Sequence, residues 1–368
     1  MELASRRTTV TDVFLHGLAT ALPPHELPQT IVQERAREIL GPRYPQFDRL
    51  FKTFTTSGVE TRRSVVPLEW FSDDHAWADR NARYMDGGVE LFIDAAEGAL
   101  KDAGWRASDV DCIVTVSSTG IATPTLEAQA SKRMGFREDV MRVPVFGLGC
   151  AGGVSGLSVA RTFAASQPGT RVLLVVVETC TLSFRTDRLQ KADIIATVLF
   201  GDGAAGACLS TEASSGRVVT LGRGIQKTWP DTLAIMGWDV DDTGLGVIFD
   251  RSIPEFVTEN FAAATAEALT AAGLRAEDVD RFVCHPGGAK VVDAIEGALH
   301  LEQGSLQAER EVLRQAGNMS APTVLFVLKA VLEEGRTGQM VACALGPGFT
   351  AAYLPFTVEP EAVAMAAE

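Results

Sequence analysis

The chain has 368 residues, 46% hydrophobic and 22% charged, enough to bury a large core across two or three domains. A formal net charge of -14 with no long Lys/Arg block argues against a nucleic-acid partner, though not against a local basic patch for phosphates. No apolar run reaches membrane-spanning length, the N-terminal MELASRRTTVTDVF lacks a signal-peptide core, and six dispersed cysteines without a C-x-x-C pair argue against a disulfide framework or a metal site, placing the chain in a reducing cytoplasm.

Val13–Pro24 reads as a strand and turn, Pro28–Ile39 as a helix, Phe47–Phe54 as a second short helix and Ser57–Val66 as a basic, β-leaning segment. Asn81–Ala103 is predicted to be a long amphipathic helix, with Leu91, Ala95 and Leu100 on one face and Gly104 as its stop. Asp111–Ser117 is a buried strand, Thr119–Pro124 a loop and Thr125–Met134 a helix. Val143–Phe146 is a strand, and Leu157, Val159, Ala160, Phe163 and Ala164 then recur at helical spacing. Arg171–Val177 is almost continuously apolar, a pattern suited to a sheet covered on both faces. Ala192–Phe200 runs into Gly201-Asp202-Gly203, and Ala204–Leu209 is another apolar strand.

The second half repeats this outline. Ile253–Ala272 is a long helix ended by Gly273, Arg281–Cys284 a strand, and Ala289–Leu299, Leu306–Ala316 and Thr323–Glu334 are helices. Met340–Leu345 and Thr350–Phe356 pair across Gly346-Pro347-Gly348. Helix, strand, glycine-bearing loop and helix recur in both halves. We therefore expect an α/β layered fold built from two similar halves, 1–215 and 216–368, sharing one core.

Three loops carry chemistry. Cys150 sits in Gly147-Leu148-Gly149-Cys150-Ala151-Gly152-Gly153, between a strand and the first turn of a helix. A helix N-terminus supplies free N–H groups and partial positive charge, which stabilise a thiolate. The same residues match G-x-G-x-x-G, a nucleotide-binding pattern, but Glu178 lies later than its usual acidic partner. A small buried cysteine in a tight turn is the third reading. Among five histidines only His285 occupies the equivalent junction in the second half, before Pro286-Gly287-Gly288, and a pseudo-twofold relation would set it facing Cys150. Asn318, one of only three asparagines, lies between two helices, where it caps a helix or donates an amide to a ligand; Ser320 offers an alternative cap. Together they make a nucleophile, a base and an amide donor.

The GLGCAGG turn, LFGDGAAGA (Leu199–Ala207), CHPGG (Cys284–Gly288), GNMSAPTVLFVL (Gly317–Leu328) and GPGFT (Gly346–Thr350) resemble the type III polyketide synthases, chalcone-synthase-like members of the thiolase superfamily. Order and spacing match from about Val13 to Phe356. The resemblance implies an αβαβα thiolase-like fold, a homodimer, an acyl-CoA starter, malonyl-CoA extenders, no acyl carrier protein, no cofactor and no metal. It implies that Cys150 carries the acyl group, that His285 and Asn318 activate the thiol and hold the thioester oxygen, and that Phe200 is the gatekeeper between CoA tunnel and cavity. Further cavity positions fall on Ser118, Cys180, Ser183, Val247, Ser320 and the Gly346-Pro347-Gly348 loop, with Val247 in place of a second gatekeeper phenylalanine. Thr123 replaces a methionine that plant members push into the partner's cavity. Lys52, Arg62 and Arg63 are the basic residues nearest the family's CoA-phosphate positions. The STGIATPTLEA and MGWDV segments look like those of bacterial members that extend fatty acyl starters to alkylpyrones or alkylresorcinols.

Three rivals remain at this level. A β-ketoacyl-acyl carrier protein synthase III would condense once, a papain-type Cys–His–Asn hydrolase would not use malonyl-CoA, and a condensation-dead partner subunit would carry no acyl group on Cys150.

Overall fold

A computed structural model describes residues 11–44, 47–188, 190–213 and 217–360, with the side chains of 48 and 49 left aside. The boundary expected at 215 lies outside the described residues. The first half contains β1 (Val13–Ala21), β2 (His25–Pro28), α1 (Gln29–Leu40), α2 (Phe47–Thr56), β3 (Thr61–Ser64), α3 (Trp77–Ala103), β4 (Cys112–Val116) and α4 (Leu126–Met134). It continues through β5 (Met141–Val145), α5 (Gly152–Ser166), β6 (Val172–Thr179), α6 (Lys191–Leu199) and β7 (Asp202–Ser210). Then come β8 (Val219–Leu221), β9 (Ile225–Thr228), β10 (Met236–Asp241), β11 (Gly244–Phe249), α7 (Ile253–Ala271), β12 (Arg281–Cys284), α8 (Ala289–Ala298), α9 (Gln307–Ala316), α10 (Thr323–Glu333), β13 (Gly338–Gly346) and β14 (Thr350–Val358).

Hydrogen bonding joins a 10-stranded sheet in the order β12-β13-β14-β8-β1-β7-β6-β4-β5, with β9 also on β14. Going outward from β1, the strand pairs β1–β7 and β7–β6 are antiparallel and β6–β4 is parallel. Going outward from β8, the pairs β8–β14 and β14–β13 are antiparallel and β13–β12 is parallel. The antiparallel pair β1–β8 joins the two sets. This is the repeat anticipated from the alternation of elements.

Alternation along the strands builds the layers. On β6, Leu174 and Val176 pack with α5 and α10, while Leu173, Val175 and Val177 pack with α3. On β13, Met340, Ala342 and Ala344 face that same α5–α10 core, and Val341, Cys343 and Leu345 face α7 and α8. The order is helix, sheet, helix pair, sheet, helix: the thiolase-like αβαβα arrangement. The central helices approach closely. A Cβ on Gly153 of α5 would stand 2.3 Å from the Ala321 carbonyl oxygen. Gly153→Ala should therefore cost roughly 1–3 kcal/mol of stability, read as a lowered midpoint in thermal denaturation. No described helix is long and apolar enough to cross a membrane.

Two departures from the predicted elements bear on the site. The α3 helix starts at Trp77, four residues before the predicted Asn81, because Arg80 turns inward. Its Nη1 donates to the carbonyls of Leu182 (2.8 Å) and Phe184 (2.5 Å). The β10–β11 hairpin was not anticipated: Gly237, Asp239, Asp241, Gly244 and Gly246 interrupt its apolar alternation and are poor strand formers. Contacts with the rest of the fold hold it instead. Trp238 Nε1 donates to the Ser118 carbonyl (2.8 Å), Arg185 pairs with Asp241 (2.8 Å) and Arg188 with Asp239 (2.7 Å).

Candidate active site

The chain leaves β5 through Gly147 (φ +89°) and Gly149 (φ +46°), both in the left-handed region, and enters a short 3-10 turn, Gly149–Ala151, that runs into α5. The Gly346-Pro347-Gly348 loop seats against this turn. A Cβ on Gly149 would lie 2.6 Å from Pro347 Cδ, and one on Gly346 would lie 2.6 Å from the Leu148 carbonyl oxygen. Cys150 is thus fixed from two sides and buried.

His285 follows the last residue of β12. Its backbone N–H donates to the Cys343 carbonyl (2.9 Å), and both ring nitrogens are buried without a protein partner. Asn318 is held on every side. Its N–H donates to the Leu199 carbonyl (2.7 Å), its carbonyl accepts from Gly201 N–H (3.1 Å), and it forms a parallel bridge with Phe200. Its side-chain Oδ1 accepts from Ser320 N–H (2.8 Å), which orients the amide so that Nδ2 donates to the Gly287 carbonyl (3.1 Å). The amide nitrogen also faces the Cys150 side chain. Cys150, His285 and Asn318 line one pocket with Met236, Phe249 and Leu345. The Cys150 and His285 loops thus come together, and the Asn318 loop joins them.

Burial pushes the Cys150 thiol up to about 11, against the lowering effect of the Ser320 and Asn318 side chains. Burial pushes His285 down to about 4. Both shifts oppose the charged forms. With desolvation the largest cause, the thiolate fraction is expected to climb throughout the neutral range. Alkylation of Cys150 by iodoacetamide should accelerate about tenfold per pH unit from roughly pH 6 to 9. A plateau near neutral pH, seen in rates followed by intact-protein mass, would instead reveal a preformed ion pair.

Glu178, at the end of β6, was weighed in the sequence only as the acid of a nucleotide motif. It is fully buried beside the site. Its Oε2 accepts from Ser118 N–H (2.9 Å) and Thr119 Oγ1 (2.7 Å), while Oε1 has no partner. Burial raises its carboxyl to about 8, so it holds a proton at neutral pH. The signal available in the sequence was a lone acid inside VLLVVVET, a strand otherwise apolar through Val177.

A second pocket shares Cys150, Met236 and Phe249 with the first and adds Ser118, Cys180, Phe200, Val247, Ser320 and Pro347. The hairpin forms one wall through Met236, Trp238, Val247 and Phe249. A third pocket shares Cys180 and Phe200 with the second and extends between α1 and α6, where Ser183 also lies. Gly346 and Gly348 shape the turn without lining these pockets. Thr123 is on the surface, outside the pockets of its own protomer.

The CoA-phosphate expectation for Arg62 needs correction. Arg62 is 2% exposed, and its Nη1 donates to the carbonyls of Thr197 (2.6 Å) and Phe200 (3.2 Å) at the end of α6. A phosphate outside the protein cannot reach it. In the alternating β3 strand this basic side chain simply points inward, next to Ser64 on the same face. Arg63 points outward and pairs with Glu26 (2.9 Å). Lys52 is exposed on α2 and borders none of the three pockets.

The layered fold, with a cysteine heading a central helix, defines a thiolase-like condensing enzyme. Family models sharpen this: residues 75–213 match the N-terminal domain of chalcone and stilbene synthases, and residues 220–357 match their C-terminal domain. The chain belongs to the chalcone and stilbene synthase family, the type III polyketide synthases, transferases that catalyse decarboxylative condensation. A 1,3,6,8-tetrahydroxynaphthalene synthase of Streptomyces peucetius subsp. caesius is 36% identical over 95% of this chain and 94% of its own. An alpha-pyrone synthesis polyketide synthase-like protein of Mycobacterium tuberculosis (strain CDC 1551 / Oshkosh) is 26% identical over 95% and 92%. The crystal structure of the 1,3,6,8-tetrahydroxynaphthalene synthase of Streptomyces coelicolor A3(2) superposes with a TM-score of 0.88 at 28% identity, covering 94% of this chain and 99% of that one.

Proposed function

We propose that this protein loads a medium- or long-chain fatty acyl group from CoA onto Cys150, extends it with malonyl-CoA and closes an alkylpyrone or alkylresorcinol ring. One observation carries the reading: the pocket holding Cys150, His285 and Asn318 adjoins, through a second pocket that shares residues with each, a largely apolar chamber lined by Val32, Ile39, Phe71, Phe184 and Ala196. An acyl tail on Cys150 has an apolar place to go.

In this scheme the Cys150 proton passes to His285 as sulfur attacks the starter carbonyl, and leaves with the CoA thiol. Malonyl-CoA then lies with its thioester oxygen between His285 and Asn318. Loss of CO₂ places negative charge on that oxygen, and a ring N–H and the Asn318 amide stabilise it. The carbanion attacks the acyl carbonyl on Cys150, and the thiolate leaves. Phe200 and the Met236–Phe249 wall keep the carbanion dry. CoA thioesters serve only as substrates, with no cofactor or metal.

A second reading draws on the Streptomyces peucetius relative, the more similar of the two compared: a tetrahydroxynaphthalene-type product with no fatty starter. One assay separates them. Acyl-CoAs of graded length are supplied with malonyl-CoA and the products identified by mass spectrometry. Incorporation of the fatty chain supports the first reading. Product from malonyl-CoA alone, indifferent to added acyl-CoA, supports the second.

A homodimer belongs to the same proposal. The β5 strand ends the sheet with an unpaired edge, and Met141 (53%), Phe146 (60%) and neighbouring Ile121 (55%) are exposed apolar residues beside the cysteine turn. Thr123 lies on that surface too. The six buried free cysteines suit action in the reducing cytoplasm.

A further inference from the structure

Arg62 borders the apolar chamber and is spent on only one side. Nη1 caps the carbonyls of Thr197 and Phe200, while Nε and Nη2 are buried with no hydrogen-bond partner. Among the described residues no carboxylate pairs with it. Burial lowers it to about 9, so it remains a cation at neutral pH. The two unused donors are not a random pair. They form the side-on edge of the guanidinium fork, the edge whose parallel N–H groups match the two oxygens of one carboxylate. A buried cation with that edge unpaired lacks its counter-ion, in a chamber whose lining is largely aliphatic and aromatic and whose other polar members are Arg35, Thr181, Ser183, Asp193 and Thr197.

We propose that Arg62 is the receptor for a carboxylate at the far end of an acyl chain, and that the preferred starter is an ω-carboxyacyl-CoA. This rests on the reading that the starter on Cys150 extends into the chamber. The apolar body of such a chain fills the space between α1 and α6, and its terminal carboxylate accepts from Nε and Nη2. The position of Arg62 then sets a preferred chain length, because a shorter chain fails to reach it and a longer one overshoots. Asp193, the acid on the same chamber wall, is engaged elsewhere: its Oδ2 accepts from Gln190 N–H (2.9 Å) and lies 3.8 Å from Arg188.

The test compares pairs of CoA thioesters of equal chain length, with and without an ω-carboxylate, in loading of Cys150 followed by intact-protein mass. In the wild type the ω-carboxy thioester should load with a specificity constant about tenfold or more above its partner, at one optimal length. That ratio should collapse to about one or below in Arg62→Met, and fall in Arg62→Lys, which keeps the charge but lacks the fork. Should both variants fail to fold, the wild-type series still decides. Absence of preference, or preference that does not peak with length, overturns the proposal. A preference surviving in Arg62→Met overturns Arg62 as the receptor. Free decanoate is the third arm: Arg62-dependent inhibition by it, without preference among thioesters, assigns the site to a free acid and overturns the starter. Plain acyl-CoAs loading normally while the ω-carboxy series fails leaves the condensing function standing. No loading by any thioester removes both.

Discussion

Asn318→Ala is expected to slow malonyl-CoA decarboxylation by about 10²–10³-fold, the usual cost of one oxyanion donor, while Cys150 still accepts an acyl group. The expectation follows from where the amide is and how it is held. Ser320 N–H fixes Oδ1, so Nδ2 faces Gly287 and the Cys150 side chain, where it can turn to the developing enolate. Acyl transfer to Cys150 draws instead on backbone N–H groups of the turn and on His285. Release of labelled CO₂ from malonyl-CoA and the mass of the loaded protein measure the two steps separately. Decarboxylation at the wild-type rate would remove Asn318 from the reaction.

Cys150→Ala should have the complementary effect. The acyl adduct and all chain extension should vanish, while malonyl-CoA decarboxylation persists, because His285 and Asn318 are reached from different loops and each has backbone anchors of its own. His285 is anchored to Cys343 and Asn318 to Leu199, Gly201 and Ser320. Loss of both activities together would mean that the cysteine organises the site as well as reacting in it. The same two assays, run on one preparation of each variant, give both answers.

The parts of this molecule that were legible in its sequence share a property: their local pattern and their tertiary role agree. The β6 strand is apolar on both faces because helices cover both. The α3 helix ends at Gly104 because that residue adopts φ +67°. The three loop residues stood out because a strand, a glycine-rich turn and a helix recur around Cys150 and His285, and because asparagine is scarce. What was not legible depends on partners distant in the chain. Arg62 and Arg63 look alike in sequence, and only the alternation of a four-residue strand sends one inward and the other to Glu26. The β10–β11 hairpin has poor strand composition and is held by Ser118, Arg185 and Arg188, which lie far from it along the chain. Glu178 was weighed only against a nucleotide motif, because the depth of its strand end is set by segments distant in the chain. The burial of Cys150 was illegible for a related reason: a helix N-terminus is visible in sequence, whereas depth is not.

The bridge between Phe200 and Asn318 has a consequence for how members of this family diversify. Phe200, the proposed gatekeeper, and Asn318, the proposed amide donor, are neighbours across one backbone bridge, bracketed by Leu199 and Gly201 and capped by Arg62. Any substitution that reshapes the passage by moving this backbone also moves the donor, so product range and turnover would be traded against each other there. Cys180 and Val247 face the same space from strands and turns outside that bridge. Drift in specificity should accumulate at those two positions, where a side chain changes size without disturbing the reaction, and a library built to broaden the substrate range is best confined to them.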